Sequence, residues 1–109
     1  YEVIFPGAVV ANSNTELIVN VTNDAWYLDS TGPHQHLHMA RMRAIEEGVP
    51  LIRAANTGIS AIIDPYGRIL QKIDLMQEGF IDSKIPKAIE NRTIYSHYGS
   101  SFVYIVSLI

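Results

Sequence analysis

The chain has 109 residues, of which 48% are hydrophobic, and a formal net charge of −3 at pH 7. That length and hydrophobic content suit one packed domain or part of one. The absence of any block of Lys or Arg argues against a nucleic-acid or anionic-membrane surface. Cysteine is absent, which excludes disulfides, thiolate metal sites and a thiol nucleophile from these residues.

The first elements are an apolar opening segment and a strand. In YEVIFPGAVV the Pro6-Gly7 pair interrupts an apolar run, so we expect a turn there and a short helix near residues 8–11. Residues 16–22 are the first predicted strand. Their centre, LIVNV, is mostly apolar and branched, which is typical of strands buried on both faces.

Asn23, Asp24 and Trp26 directly follow this strand. In open α/β sheets ligands bind beyond the carboxyl ends of the strands, because the loops converge there. We therefore predict that these three side chains line a pocket. The alternative is that Asn23 and Asp24 make local backbone hydrogen bonds and that Trp26 packs the loop onto the core.

Residues 33–47 form the predicted central helix. Pro33 suits its first turn, and Gly48 can supply a left-handed residue after its last turn. Apolar residues recur at three- and four-residue spacing and predict one apolar face: Leu37, Ala40, Ala44 and Ile45.

Three histidines lie in the first turns of this helix, in the sequence HQHLH. His34 and His38 could share a face at a spacing usable for a metal. Position 35 holds Gln instead of the Glu of the zinc-protease helix motif, and no third ligand is marked. We therefore predict no metal site and no cofactor.

After the helix, strands are predicted at residues 51–55 and 59–63, joined through Asn56-Thr57-Gly58 as a hairpin. Asp64-Pro65-Tyr66-Gly67 has the residue order of a type I turn, so residues 68–73 should return as a strand. Residues 79–85 are predicted as a further strand. Residues 86–101 are polar and irregular.

Arg53 lies inside an apolar strand segment, where an unpaired charge would be very costly. It should therefore have a carboxylate partner. By topology the nearest candidates are Glu2, Glu46 and Glu47.

Residues 102–109, FVYIVSLI, carry no charge. Eight residues are too few to cross a bilayer, which takes about 20, and a core strand would also explain them. The run follows a polar, irregular segment, however. We expect it to be the start of a transmembrane helix.

Three segments resemble the C-terminal half of the nitrilase-like domain of bacterial apolipoprotein N-acyltransferases: YEVIFP, NVTNDAW and GPHQHLHMARMRAIEEGVPLIRAANTGISAIIDPYG. RMRAIEEG, the strand after it and AN-x-G are shared with carbon–nitrogen hydrolases broadly. NDAW and GPHQH indicate the acyltransferase branch. The resemblance implies an α/β fold in which residues 1–101 are part of an α-β-β-α sandwich, with a final transmembrane helix beginning in 102–109. It also implies a bacterial inner-membrane enzyme whose catalytic domain is periplasmic.

The resemblance further implies a mechanism. Such enzymes use a Glu, a Lys and a Cys nucleophile, and the Cys immediately precedes the pair seen here as Tyr1-Glu2, so these residues alone should be inactive. The thiolate takes an acyl chain from a phospholipid, and the α-amine of a lipoprotein's diacylglyceryl-cysteine then accepts it. Tyr1 would donate its backbone N–H to the oxyanion, and the Glu2 carboxylate would position the catalytic groups without contacting the substrate. The alternative is that both residues only anchor the turn that carries the nucleophile. His34 joins Asn23, Asp24 and Trp26 as a substrate-binding residue.

Two other functions remain open. A soluble nitrilase-type amidase would share the helix and strand pattern but cleave a C–N bond with water as acceptor. A non-catalytic α/β module would serve assembly alone. The residues upstream of Tyr1 distinguish the three functions. Many apolar spans there would indicate the acyltransferase, and a short soluble half would indicate the amidase. The absence of a Cys would indicate the non-catalytic module.

Overall fold

The computed structural model describes residues 2–7, 9–10, 14–27 and 30–108. It contains one four-stranded sheet, formed by β1 (Ile18–Asn23), β2 (Leu51–Asn56), β3 (Ser60–Ile63) and β4 (Ile69–Ile73), in that spatial order. β1 and β2 are parallel, and the other two pairings are antiparallel. Helix α1 (Gly32–Glu47) connects the parallel pair. The mixed sheet and its crossover helix confirm the predicted α/β class, and four predicted strands lie within two residues of their expected bounds.

The ends of α1 follow local signals in the sequence. Pro33 lies in the first turn, and Gly48 adopts a left-handed conformation with φ of 68° and donates its N–H to the Ala44 carbonyl. A left-handed residue there satisfies a carbonyl that the helix itself leaves unpaired. The predicted helix is therefore confirmed at both ends.

The core lies between α1 and one face of the sheet. Leu37, Ala40 and Ala44 of the helix pack with Leu51 and Ile63 of the strands. Ile45, predicted on the apolar face, is exposed, whereas three polar side chains of the helix are buried: His36, Arg43 and Glu47. The apolar face of α1 thus also carries polar groups that need partners.

The other face of the sheet is open in this part of the chain. Val19 and Val21 of β1 are 65% and 76% exposed. The expectation that the β1 strand is buried on both faces is therefore wrong for the described residues. Its alternating burial results from a helix that covers only one face.

The β3–β4 turn is built around Asp64. Gly67 donates its N–H to the Asp64 carbonyl at 2.9 Å, which confirms the predicted turn. The Asp64 carboxylate accepts the backbone N–H groups of Tyr66 and Arg68 and the Arg68 Nε. Burial alone would raise the pKa of Asp64, but these hydrogen bonds and the Arg68 charge together outweigh it and lower the pKa.

The chain beyond β4 differs from the prediction. Residues 79–85 form no strand. An extended segment becomes a strand only with a hydrogen-bonding neighbour, and β4 is the last strand of the described sheet. In the segment predicted as irregular, α2 (Ile94–Tyr98) forms because the Thr93 hydroxyl accepts the Ser96 N–H and caps it. The helix expected near residues 8–11 falls partly outside the described residues, and Val9 and Val10 are not helical.

Residues 101–107 form helix α3 (Ser101–Ser107). The alternative of a core strand in this apolar run is therefore wrong. Among the residues that the structure describes, no helix is long and apolar enough to cross a membrane. The transmembrane helix, with its domain boundary at residue 101, stays a prediction.

Candidate functional site

The loops that follow β1 and β2 are joined at the carboxyl edge of the sheet. Asn23 and Asn56 end the two strands opposite each other. The Asn23 side-chain oxygen accepts the Ala25 N–H at 3.1 Å and the Asn56 side-chain amide at 3.2 Å. The Asp24 N–H donates to the Asn56 carbonyl at 3.1 Å. These bonds hold the NDAW and NTG loops together as one unit.

Asp24 is the partner of Arg53. The Arg53 Nη2 donates to Asp24 Oδ2 at 2.7 Å, and the two side chains are 0% and 1% exposed. The expectation that Glu2, Glu46 or Glu47 pairs with Arg53 is wrong, since Glu46 pairs with Arg43 instead. Parallel pairing of β1 with β2 explains the difference. It places the residue after β1 beside the buried face of β2, a neighbour that cannot be identified without the strand register.

Each of the three side-chain nitrogens of Arg53 has a hydrogen-bond acceptor. Besides Asp24, it donates from Nη1 to the Asn20 side-chain oxygen at 2.5 Å and from Nε to the Ile59 carbonyl at 3.1 Å. Burial lowers the pKa of Arg53, and the charge and hydrogen bond of Asp24 oppose that shift. A guanidinium remains protonated at neutral pH, so the interior of this edge contains a full ion pair.

His36 completes this polar group, which we call the Asp24 cluster (Asn20, Asp24, His36 and Arg53); Asn20 is half-buried and the other three are buried. The His36 Nδ1 lies 2.8 Å from Asp24 Oδ1 and 3.2 Å from Arg53 Nη2. Because a carboxylate can only accept, we assign the proton to Nδ1. Within the described part of the chain, Nε2 is buried without a hydrogen-bond partner. The cluster thus links the NDAW loop, α1 and β2.

Gly58 makes room for the cluster. A Cβ atom at this position would lie 2.5 Å from Asp24 Oδ2, far inside the contact distance of real Cβ atoms. The glycine of the NTG loop is therefore needed for the Asp24 carboxylate to approach Arg53.

The predicted substrate-binding residues lie in different environments. Asp24 does not line a pocket, because its carboxylate is buried and shared between Arg53 and His36. Trp26 is 79% exposed, so the alternative in which it packs the loop onto the core is wrong. Asn23 is exposed at the same edge. Substrate contact by these residues stays a prediction.

His34 is exposed on the first turns of α1. It borders an open hollow of about 360 Å³ together with Thr31, Gln35, His38 and Met39. His36, between the other two histidines, turns inward to Asp24. Among the described residues, no three His, Cys, Asp or Glu side chains are arranged to hold a metal.

The segment that follows the implied nucleophile in the sequence contacts α1. Tyr1 lies outside the described residues, and so does the side chain of Glu2, whose backbone begins a 3-10 helix (Glu2–Ile4). Arg43 donates from Nη1 to the carbonyls of Val3 and Ile4 at 3.5 and 3.3 Å. Sequence reasoning missed this contact, although position 43 follows Ala40 by three residues and so falls on the buried face.

A larger groove, of about 810 Å³, lies at the other end of the sheet, between residues 14–17, 47–49 and 85–92. Burial and the neighbouring Glu46 raise the pKa of Glu47 in its wall, while Arg92 and Arg43 oppose that shift. This groove is at the amino end of β1. Because ligands of α/β sheets bind at the carboxyl ends, the edge that carries Asn23 and Trp26 is the better candidate.

Comparison with known proteins identifies the family. The family model for carbon-nitrogen hydrolases matches residues 1–94. The chain is 50% identical over 107 residues to the apolipoprotein N-acyltransferase of Rickettsia bellii, covering 97% of this chain and 21% of the relative. It is 56% identical over 100 residues to the protein of that name from Bradyrhizobium diazoefficiens, covering 91% of this chain and 18% of the relative. The chain thus spans about a fifth of the length of these curated relatives. By the match over residues 1–94, the chain belongs to the carbon–nitrogen hydrolase family.

Proposed function

We propose that this chain is part of an apolipoprotein N-acyltransferase that moves an acyl chain from a phospholipid to the N-terminal amine of a lipoprotein. The observation that carries the proposal is identity of about half over nearly the whole chain to relatives of that name. The two segments that resemble the acyltransferase branch, NDAW and GPHQH, also meet directly. Asp24 of the first and His36 of the second lie 2.8 Å apart.

The proposed chemistry proceeds in two steps. A Cys thiolate, expected immediately before Tyr1, attacks the ester carbonyl of a phospholipid. The C–O bond breaks, the lysophospholipid leaves with a proton, and a thioester remains. The α-amine of a diacylglyceryl-cysteine then attacks the thioester. The C–S bond breaks, an amide forms and the thiol is regenerated.

The upstream Glu acts as general base in both steps, and the upstream Lys and the backbone N–H of Tyr1 stabilise the two oxyanions. The side chain of Glu2 supports this arrangement. No metal or other cofactor is required, because the thiol, base and oxyanion donors suffice for acyl transfer between an ester and an amine.

The Asp24 cluster supports the substrate-binding edge in this proposal. Asp24, held by Arg53 and His36, fixes the start of the loop that carries Asn23 and Trp26. Because Trp26 projects from this loop into open space, it offers an apolar ring to an acyl chain or a lipid-linked substrate. His34, on the helix that the cluster joins to the loop, supplies a further polar contact.

We also propose a membrane location: the bacterial inner membrane, with residues 1–101 in the periplasmic catalytic domain and residues 102–109 at the start of a transmembrane helix. What supports it is the apolar surface of α3 and its end, where Val103, Tyr104, Val106 and Leu108 are all exposed. An extension by the next ~15 encoded residues tests this. Codons for charged or polar residues after Ile109 would contradict the transmembrane helix.

The proposal as a whole is tested with the complete protein as encoded by its gene. It is supplied with a phospholipid labelled in its sn-1 chain and a diacylglyceryl-cysteine peptide, and the N-acylated peptide is quantified. We expect acylation that fails when the residue before Tyr1 is replaced by Ala. Ammonia release from small amides without peptide acylation would instead indicate an amidase.

A further inference from the structure

We infer that Arg43 is a positioning residue that holds the backbone following the nucleophile in its reactive geometry. The inference rests on the proposed function, because it takes the nucleophile to be the residue before Tyr1. It concerns a side chain that touches neither substrate nor reacting atoms. What it touches is the short segment through which the nucleophile and the oxyanion donor are anchored to the fold.

The contact is made with backbone carbonyls that need partners. A 3-10 helix of three residues leaves its last carbonyls without partners inside the helix. Arg43 Nη1 lies 3.5 Å from the Val3 carbonyl and 3.3 Å from the Ile4 carbonyl. Each bond is long and therefore weak alone. Both come from one buried nitrogen, however, so the guanidinium acts as a clamp on two successive residues.

Glu46 fixes the direction of the Arg43 clamp. Arg43 Nη2 donates to Glu46 Oε1 at 3.0 Å, and Nε lies 2.8 Å from Glu46 Oε2 in an ion-pair contact that is off hydrogen-bond alignment. The carboxylate thereby occupies two nitrogens of the planar fork and turns the third toward the carbonyls. A lysine at position 43 has one nitrogen on a flexible stem and cannot serve both partners.

The helix beneath the clamp is itself held firmly. Ala40 and Ala44, on either side of Arg43, are fully buried in the core. The Glu46 carbonyl also accepts a hydrogen bond from the Thr93 hydroxyl. Arg43 is therefore mounted on a rigid element, and the position of residues 2–4 depends on where its guanidinium points.

The consequence for catalysis is geometric. Tyr1 and the residue before it continue directly from the clamped segment, so a shift of that segment moves the thiol and the oxyanion donor together. A displacement of about 1 Å in such a group costs roughly 10²-fold in rate. Loss of the clamp should lower the rate of the chemical step and leave substrate binding almost unchanged.

The test compares Arg43→Lys with Arg41→Lys in the complete protein. Arg41 is the matched control, because it lies on the same helix and also donates to a backbone carbonyl, that of Gly67 at 2.8 Å, away from the 3-10 helix. We measure the rate of acyl-enzyme formation with phospholipid, the KM for that phospholipid and the Tm. Arg43→Lys should slow acyl-enzyme formation about 10- to 100-fold with KM nearly unchanged, whereas Arg41→Lys should stay near wild type.

The outcomes separate the two ideas. Wild-type protein that forms no acyl-enzyme would overturn the proposed function, and this inference with it. Wild-type acylation with an equal rate in Arg43→Lys would overturn the inference alone. A loss of rate that Arg41→Lys shows as well, together with a fall in Tm in both variants, would also overturn the inference. If Arg43→Lys fails to fold, acyl-enzyme formation by Glu46→Gln tests the inference instead. That variant keeps the shape but removes the charge that orients Arg43, and it should slow acyl-enzyme formation about 3- to 10-fold.

Discussion

Breaking the buried ion pair between Asp24 and Arg53 should destabilise the domain far more than breaking a surface pair. The perturbations are Asp24→Asn, Arg53→Met and the two combined. Both wild-type side chains are almost fully buried, at 1% and 0% exposed. Removing one partner leaves the other charge, or its hydrogen-bonding groups, uncompensated in the interior. The free energy of unfolding should therefore fall by about 3–5 kcal/mol in each single variant.

The double variant shows why the cost arises. At 2.7 Å and an effective dielectric constant of about 20, the two charges attract by roughly 6 kcal/mol. Burying both charges costs a comparable amount, so the intact pair is worth little net stability. We expect Asp24→Asn with Arg53→Met to cost clearly less than the sum of the single variants, because no unpaired charge remains.

The assay is thermal unfolding of the complete protein. A loss of about 3–5 kcal/mol is a large part of the roughly 5–15 kcal/mol by which a domain is typically stable, so each single variant should lower Tm by clearly more than a surface variant does. Lys72→Met is the control. Its ion pair with Asp74 is at the surface, where the two side chains are 53% and 56% exposed, and such pairs contribute about 0–1 kcal/mol. A Tm for Asp24→Asn no lower than that of Lys72→Met, or full additivity in the double variant, would refute the reasoning.

Three further predictions concern neighbouring features. Gly58→Ala should lower Tm by several degrees, because its Cβ would collide with Asp24, whereas Gly79→Ala meets only ordinary contacts and should not. Asp64 has a pKa lowered in the fold, so its stabilisation is present above the unfolded pKa of about 3.9 and is lost as pH falls through the folded pKa. Asp64→Asn should thus lower Tm at pH 7, and its difference from wild type should shrink as pH falls below the unfolded pKa of about 3.9 and through the folded pKa in a Tm series across pH; parallel curves would contradict this. Trp26→Ala should reduce peptide acylation with Tm unchanged, because the ring is exposed. A fall in Tm large enough to explain the loss of acylation would instead assign Trp26 a role in folding.

The parts of the fold that could be predicted are those specified by neighbouring residues. Pro33 and Gly48 define α1 within the chain segment itself, and the Asp64-Pro65 turn defines the hairpin that follows. The strand predicted at residues 79–85 failed for the opposite reason. Its formation depends on a partner strand, and periodicity does not show whether one exists.

Whether Asn23, Asp24 and Trp26 contact substrate stays a prediction. What the structure adds is the set of contacts that each residue makes at the carboxyl edge of the sheet. Identifying Asp24 as the partner of Arg53 requires the parallel register that pairs Asn20 with Arg53 across β1 and β2. The contact of Arg43 with the Val3 and Ile4 carbonyls depends on where the 3-10 helix lies, which the sequence pattern of α1 does not show.

The most direct test of acyl transfer is the mass of the peptide that carries the nucleophile. The complete protein is incubated with phospholipid, digested and analysed for the peptide that includes the residue before Tyr1. We predict one acyl chain on that residue as a hydroxylamine-sensitive thioester, and its disappearance when a diacylglyceryl-cysteine peptide is added. A peptide that stays unmodified while lipid is consumed, or a residue other than Cys at that position, would contradict the account.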